Sequence, residues 1–212
     1  MTNYLMRIIV NEQQHEKKEQ TFKAVLTYFW EQGIPGATMR RGNAGIDEQG
    51  RVEYDILEDV YFNNLPIIIE TVIDKELIDK VEGGVKALVK NGQISITKGF
   101  EEKDLNEHEY FVVKVYTSEN KKKLLKKDEY EKVLTFLQKK NVIWATVTKG
   151  IAGYGKDHVI YSQHLFPLSE HMPLVVECVV DKENLSTLLE ELKQIITDGV
   201  VFTFPVNVIL NR

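Results

Sequence analysis

The sequence has one cysteine in 212 residues, Cys178, so no intrachain disulfide can form and a reducing compartment fits. That cysteine sits in the apolar run LVVECVV, where a buried structural thiol is expected. No apolar run is long enough to cross a bilayer, and MTNYLMRIIVNEQQ at the N-terminus lacks a signal-peptide pattern. The expected location is the cytoplasm. Positive charge is not in excess either: 27 Lys and Arg against 32 Asp and Glu leave a net charge of −5. No nucleic-acid partner is therefore expected, and the one basic cluster, KKKLLKK from Lys121 to Lys127, is expected to be a solvated face. A hydrophobic fraction of 43% is enough to bury a core.

What the sequence does contain is itself, twice. GATMRRGNAG, Gly36 to Gly45, recurs 108 residues later as WATVTKGIAG, Trp144 to Gly153, and VLTYF at Val25 recurs as VLTFL at Val133. After a one-residue deletion LPIIIETVIDKE from Leu65 lies under MPLVVECVVDKE from Met172. Phe22, Val25, Leu26 and Phe29 keep the spacing of an amphipathic helix, as do Tyr130, Val133, Leu134 and Leu137. Ile78, Val81, Val85 and Leu88 do the same, matched by Leu185, Leu188, Leu192 and Ile195. Between these helices lie β-rich stretches, LMRIIV or FVVKVY, ATMRR or ATVTK, PIIIETVI or PLVVECVV, and QISIT or VVFTF.

The order in each copy is β-α-β-β-α-β, the ferredoxin-like split βαβ unit. We therefore expect an α+β chain of tandem ferredoxin-like units with antiparallel four-stranded sheets, residues 1–100 and 109–212, joined by a linker at 101–108. The third strand is apolar almost throughout, so both of its faces should be shielded. Packing of sheets between units, within or between chains, would achieve this.

Lys149 to Asp157, KGIAGYGKD, nearly matches the phosphate-binding pattern G-x-x-x-x-G-K-[ST], with Asp157 where a hydroxyl should hold magnesium. A true P-loop also needs a following helix, and DHVIYSQHLFPLSEHMP shows no sustained helical period and contains Pro167. The dinucleotide fingerprint fails likewise. Both copies instead share a basic residue, Arg41 or Lys149, then G-x-A-G, then a connection of roughly 20 residues, long enough to be functional or mobile. Such glycines can let a ligand approach the backbone or form an anion-binding nest, or they can simply turn the chain at a sheet edge.

The stretch WATVTKGIAGYGKDHVIYSQHLFPLSEHMPLVVECVVD closely resembles the signature of a family of PII-like proteins of unknown function, an (R/K)GIAGFG-like motif followed by LSEDLPVVVEIVD. Tyr154 replaces the usual Phe, and the first copy departs at Asn43, Ile46 and Asp47. The resemblance implies ferredoxin-like units assembled as homo-oligomers, with a trimer preferred. It also implies a long loop between strands 2 and 3; the leading expectation for the chain is a regulatory, non-enzymatic role without a cofactor. In signalling members adenine nucleotides bind between units near the base of that loop, which engages a membrane transporter or an enzyme. Genes of this family often neighbour fluoride-channel genes, pointing to a transporter or channel partner.

The ligand expected is a small anion, an adenine nucleotide among the candidates. Its site would be built from Lys149, Gly150, Gly153, Tyr154, Gly155 and Lys156, with Arg41, Gly42 and Gly45 as the weaker first-copy equivalents. A ligand-free scaffold and a metal-binding tolerance protein are the alternatives. For the latter, His158, His164 and His171 lack first-copy counterparts and any paired spacing. Glu70 and Glu177 align in strand 3 without an evident nucleophile or base, so pairing across a strand accounts for them better than catalysis.

Overall fold

The computed structural model describes residues 2–16, 19–46, 52–54, 64–118, 129–140, 142–155, 161–162 and 172–209. Its first half runs β1 (Tyr4–Asn11), the short pair β2 (His15–Glu16) and β3 (Glu19–Gln20), α1 (Thr21–Glu31), β4 (Ala37–Arg41), β5 (Ala44–Ile46), β6 (Val52–Tyr54), β7 (Pro66–Ile73), α2 (Lys75–Leu88) and β8 (Gln93–Lys98). The second half runs β9 (Tyr110–Ser118), α3 (Glu129–Leu137), β10 (Val142–Lys149), β11 (Ala152–Tyr154), β12 (Tyr161–Ser162), β13 (Pro173–Asp181), α4 (Lys182–Ile195) and β14 (Val200–Val206). The principal strands lie in the orders β4-β7-β1-β8 and β10-β13-β9-β14, with every neighbouring pair antiparallel. This is the ferredoxin-like topology made twice, as the repeat predicts.

Each helix buries the stripe its spacing marks out. Phe22, Val25, Leu26 and Phe29 of α1 and Ile78, Val81 and Val85 of α2 cover Met6, Ile8, Ile67 and Ile69. Val133 and Leu137 of α3, with Leu185, Leu188 and Leu192 of α4, cover Val113, Val115, Val176 and Cys178. The thiol is buried, and that burial, with the neighbouring Glu177 charge, pushes its pKa up to about 12. It is inert at neutral pH. α2 and α4 start alike: Asp74 accepts from the Leu77 amide and Asp181 from the Asn184 amide, each at 2.9 Å, satisfying helix N–H groups that have no internal partner.

The connection between the halves is itself folded. Glu102–Asn106 form a 3₁₀ turn closed by a reciprocal box between Glu101 and Asp104, and Phe100 packs edge-on against Phe111 at 5.4 Å. Hydrogen bonds from Lys98, Lys103 and Thr2 hold the Glu101 carboxyl down to about 2. The lysine run 121–127 lies outside the described residues.

The halves are also stitched through a sheet. After β10 the chain crosses to the other unit, where β11 pairs with the outer edge of β4 in the register Ala152↔Met39, Gly153↔Thr38, Tyr154↔Ala37. The first sheet thereby extends to β12-β11-β4-β7-β1-β8. Main-chain pairing across a unit boundary fixes both distance and register, which side-chain packing alone does not.

Removing either cap should cost about 1 kcal/mol. Asp74→Ala and Asp181→Ala are each expected to lower the urea-unfolding free energy by that amount without changing the slope of the transition.

Candidate functional site

Glu70 is a charged residue inside the apolar strand IIIETVI, and it is 1% exposed. A buried carboxylate persists only with counter-charges and hydrogen bonds of its own. Glu70 takes them from both units. Arg40 on β4 donates from Nη2 at 2.7 Å, while from the second unit Lys114 Nζ donates at 2.8 Å and the Tyr116 hydroxyl at 3.1 Å. Arg7, directly opposite on β1, lies at 3.9 Å. Burial pulls the Glu70 carboxyl upward, but Lys114 and Arg40, with smaller help from Arg7, hold it below its ordinary value. Tyr116 is shifted upward by burial and by the Glu70 charge, so it remains a neutral donor. Lys114, 4% exposed, also reaches Glu177 at 3.3 Å, its cross-strand partner on β13. Arg40 completes the seam by donating to the Thr148 hydroxyl on β10 at 3.1 Å.

Beside this cluster a cavity of about 500 Å³ opens along the seam. The first unit contributes Pro35 to Thr38 and Glu70 to Val72. The second contributes Tyr116 to Ser118, Gly153 to Gly155, Pro173 and Asp198 to Val200. Its size is that of a small-molecule site, and it combines ring and aliphatic surfaces with a few hydroxyls and main-chain groups. Gly155 stands at its rim, where the connection from strand 2 to strand 3 leaves β11.

Of the residues that the sequence nominates, Gly153, Tyr154 and Gly155 line this cavity. Gly150 lies just before β11, where its N–H donates to the Pro173 carbonyl at 2.7 Å. Lys149 is exposed at the end of β10, opposite Leu174, and is not part of the lining. Lys156 lies outside the described residues, as do His158, His164 and His171. Arg41, Gly42 and Gly45 are gathered elsewhere: Arg41 pairs with Glu12 at 2.9 Å, the Gly42 N–H donates to the Pro66 carbonyl, and Gly45 lies in β5 against the Pro66 ring. Among the described residues no cluster of three or more His, Cys, Asp or Glu is placed to hold a metal.

The glycines therefore act differently from an anion nest at two positions. The Gly150 amide is already given to Pro173, and Gly153 lies in a strand flanked by β4 on one side and β12 on the other. A Cβ on Gly153 would stand 2.5 Å from the Ala37 carbonyl oxygen, closer than any real contact. Glycine is needed there so that two strands of different units can meet.

Glu70, Arg40, Lys114 and Tyr116 are the site residues that the glycine motif does not reveal. For Glu70 and Lys114 the signal is a charge in the middle of an apolar strand, IIIETVI and FVVKVY; Arg40 in ATMRR and Tyr116 carry no such mark. Which charges meet across the seam depends on docking, which no periodicity encodes.

A family model described as "Uncharacterized ACR, COG1993", the DUF190 family, matches residues 3–99 and again 110–208. An Aquifex aeolicus protein named UPF0166 is 34% identical over 82 residues, covering 39% of this chain and 77% of that protein. The UPF0166 protein MJ1524 of Methanocaldococcus jannaschii is 34% identical over 70 residues, covering 33% of this chain and 64% of its own length. Two solved structures align over 97% of the chain, an unknown protein from Galdieria sulphuraria at 7% identity and a putative glycine cleavage system transcriptional repressor at 13%. Their TM-scores of 0.31 and 0.30 are too low to bear on the fold.

Glu70→Gln should remove the carboxylate that Lys114 and Arg40 share, leaving Lys114 only the half-exposed Glu177, a loss of about 3 kcal/mol at pH 7. Because the folded carboxyl titrates below its unfolded value, this stabilisation is complete above about pH 4.5 and is lost as pH falls through the folded pKa. The gap between wild type and variant in urea unfolding should therefore be widest at neutral pH and narrow below pH 4.5. A gap that is constant from pH 7 to about pH 3 would show that the charge of Glu70 is not what the seam uses.

Proposed function

The chain belongs to the DUF190 family in both of its halves, and on that premise we propose that it is a non-enzymatic, PII-like regulatory protein that holds a small ligand in the seam cavity. The observation that carries this reading is the position of the cavity. It is walled by both units and by Gly153 to Gly155, so its occupant touches the root of the long connection between strands 2 and 3. A ligand that contacts a loop's anchor in one loop conformation shifts the loop toward that conformation, to the extent of its differential affinity. The loop then presents one surface or another to a partner. A membrane transporter or channel is the class proposed, with the protein acting from the cytoplasm.

The lining narrows how an anionic ligand can sit. Val72, Tyr116, Pro173 and Thr38 suit a flat heteroaromatic ring with a polar edge. The described charged residues of the lining are Glu70 and Asp198, both acidic, so a phosphate inside the cavity would face carboxylates. In this proposal the ring of an adenine nucleotide enters, and its phosphates stay at the Gly155 rim, after which the sequence supplies Lys156.

Calorimetric titration and thermal shift with adenosine, AMP, ADP and ATP test the proposal. A nucleotide at about 100 times its Kd should stabilise the wild type by about 2.7 kcal/mol. Val72→Trp, which fills the cavity from its wall, should unfold cooperatively and show no such shift. Binding that survives Val72→Trp unchanged would place the site elsewhere. Silence across the series at millimolar concentration would favour the ligand-free scaffold.

A further inference from the structure

The repeat builds the same small hairpin twice. β5 and β6 pair as Ala44↔Tyr54, Gly45↔Glu53 and Ile46↔Val52, while β11 and β12 pair as Ala152↔Ser162 and Gly153↔Tyr161. Every shared pair is displaced by the same 108 residues that relate the two halves. The second hairpin is docked on β4, whereas the first, among the described residues, pairs with no further strand. Tyr154, seated on β4, is 5% exposed, whereas Ile46 at the equivalent position is 74% exposed.

The receiving edges show the converse pattern. Ala37, Thr38 and Met39 of β4 are buried beneath β11. Their equivalents on β10 are Ala145 and Thr146, both exposed, and Val147, half-buried; Trp144 beside them is 64% exposed. β10 pairs with β13 on one side and, among the described residues, with no strand on the other. An open edge carrying an exposed tryptophan is a template for strand addition. Among the described residues the chain thus has one completed junction, a donor hairpin left over on the first unit and an acceptor edge left over on the second.

The charges repeat with the same logic. At the completed junction Glu70 of the first unit receives Lys114 of the second. The repeat equivalents are Glu177 and Arg7, whose side chains are 41% and 43% exposed. The second unit therefore offers an acid where the first unit offers a base.

We propose that β5 of one copy adds to β10 of a second copy in the register Ala44↔Val147, Gly45↔Thr146, Ile46↔Ala145, with Arg7 of the first copy meeting Glu177 of the second. The contact is head-to-tail, one donor and one acceptor per copy, so it generates a ring when the rotation between units closes. Such a ring alternates first and second units. A layer made of first units alone has no place for this contact, because β4 is already taken by the chain's own β11. The junction between copies also repeats the cavity wall, with Gly45 and Ile46 standing where Gly153 and Tyr154 stand in the seam.

Four readings on the full chain decide it. Sedimentation should give a species larger than the 24.5 kDa chain at micromolar concentration. Ile46→Lys alters an exposed side chain, so the fold should survive by circular dichroism while association weakens at least tenfold. Oxidation of the Ile46→Cys/Ala145→Cys double variant should link chain to chain on a non-reducing gel, and the out-of-register pair Ile46→Cys/Thr148→Cys should not. In a Trp30→Phe background the Trp144 emission should shift to the blue on association. A wild type that stays monomeric at high concentration overturns the proposal, as does an oligomer that survives Ile46→Lys and yields no in-register cross-link.

Discussion

A carboxylate inside a sheet has to be matched by charge, and Glu70 is matched from across a unit boundary. Lys114 and Tyr116 reach it from β9 of the second unit, while Arg40 and Arg7 reach it from its own sheet. That requirement ties the halves together more selectively than apolar contact would, since any shift in docking leaves several buried charges unmatched. The ladder from β11 to β4 sets the register of the same seam. The cavity is what remains between these two fastenings.

The two halves of the chain are alike in fold and unlike in use. The first unit lends its β4 edge and its acid; the second lends its hairpin and its lysine. Repetition explains why the parts fit, because each half carries both a donor hairpin and an acceptor edge. Covalent linkage explains why one junction is filled from within the chain. The PII-like regulation proposed above places its ligand in the seam because Gly153 to Gly155, which follow strand 2 of the second unit, line the cavity there.

Much of the fold is legible in the sequence. The repeat itself, the helix faces at Phe22 to Phe29 and Ile78 to Val85, and the strands at 37–41 and 66–73 follow from periodicity and from comparing one half with the other. The site is legible only in part. Ala152 to Tyr154 form a strand of three residues, too short to show alternation, and its partner lies more than a hundred residues away in the other unit. Gly153, which the sequence allows as part of a ligand nest or of a turn at the sheet edge, lies where two backbones come close, as the space beside it shows. Local pattern identifies residues that need glycine; it does not say whether a ligand or another strand is the reason.

The seam as a single energetic object is most directly tested by a double-mutant cycle between Glu70→Gln and Lys114→Met, read by urea unfolding at neutral pH. Contacting residues of one buried network couple by about 0.5–3 kcal/mol. The account predicts a coupling near the upper end of that range, with the double variant unfolding in one cooperative transition. A coupling near zero, with each half unfolding separately, would show that the seam does not hold the units together as one cooperative body and would contradict it.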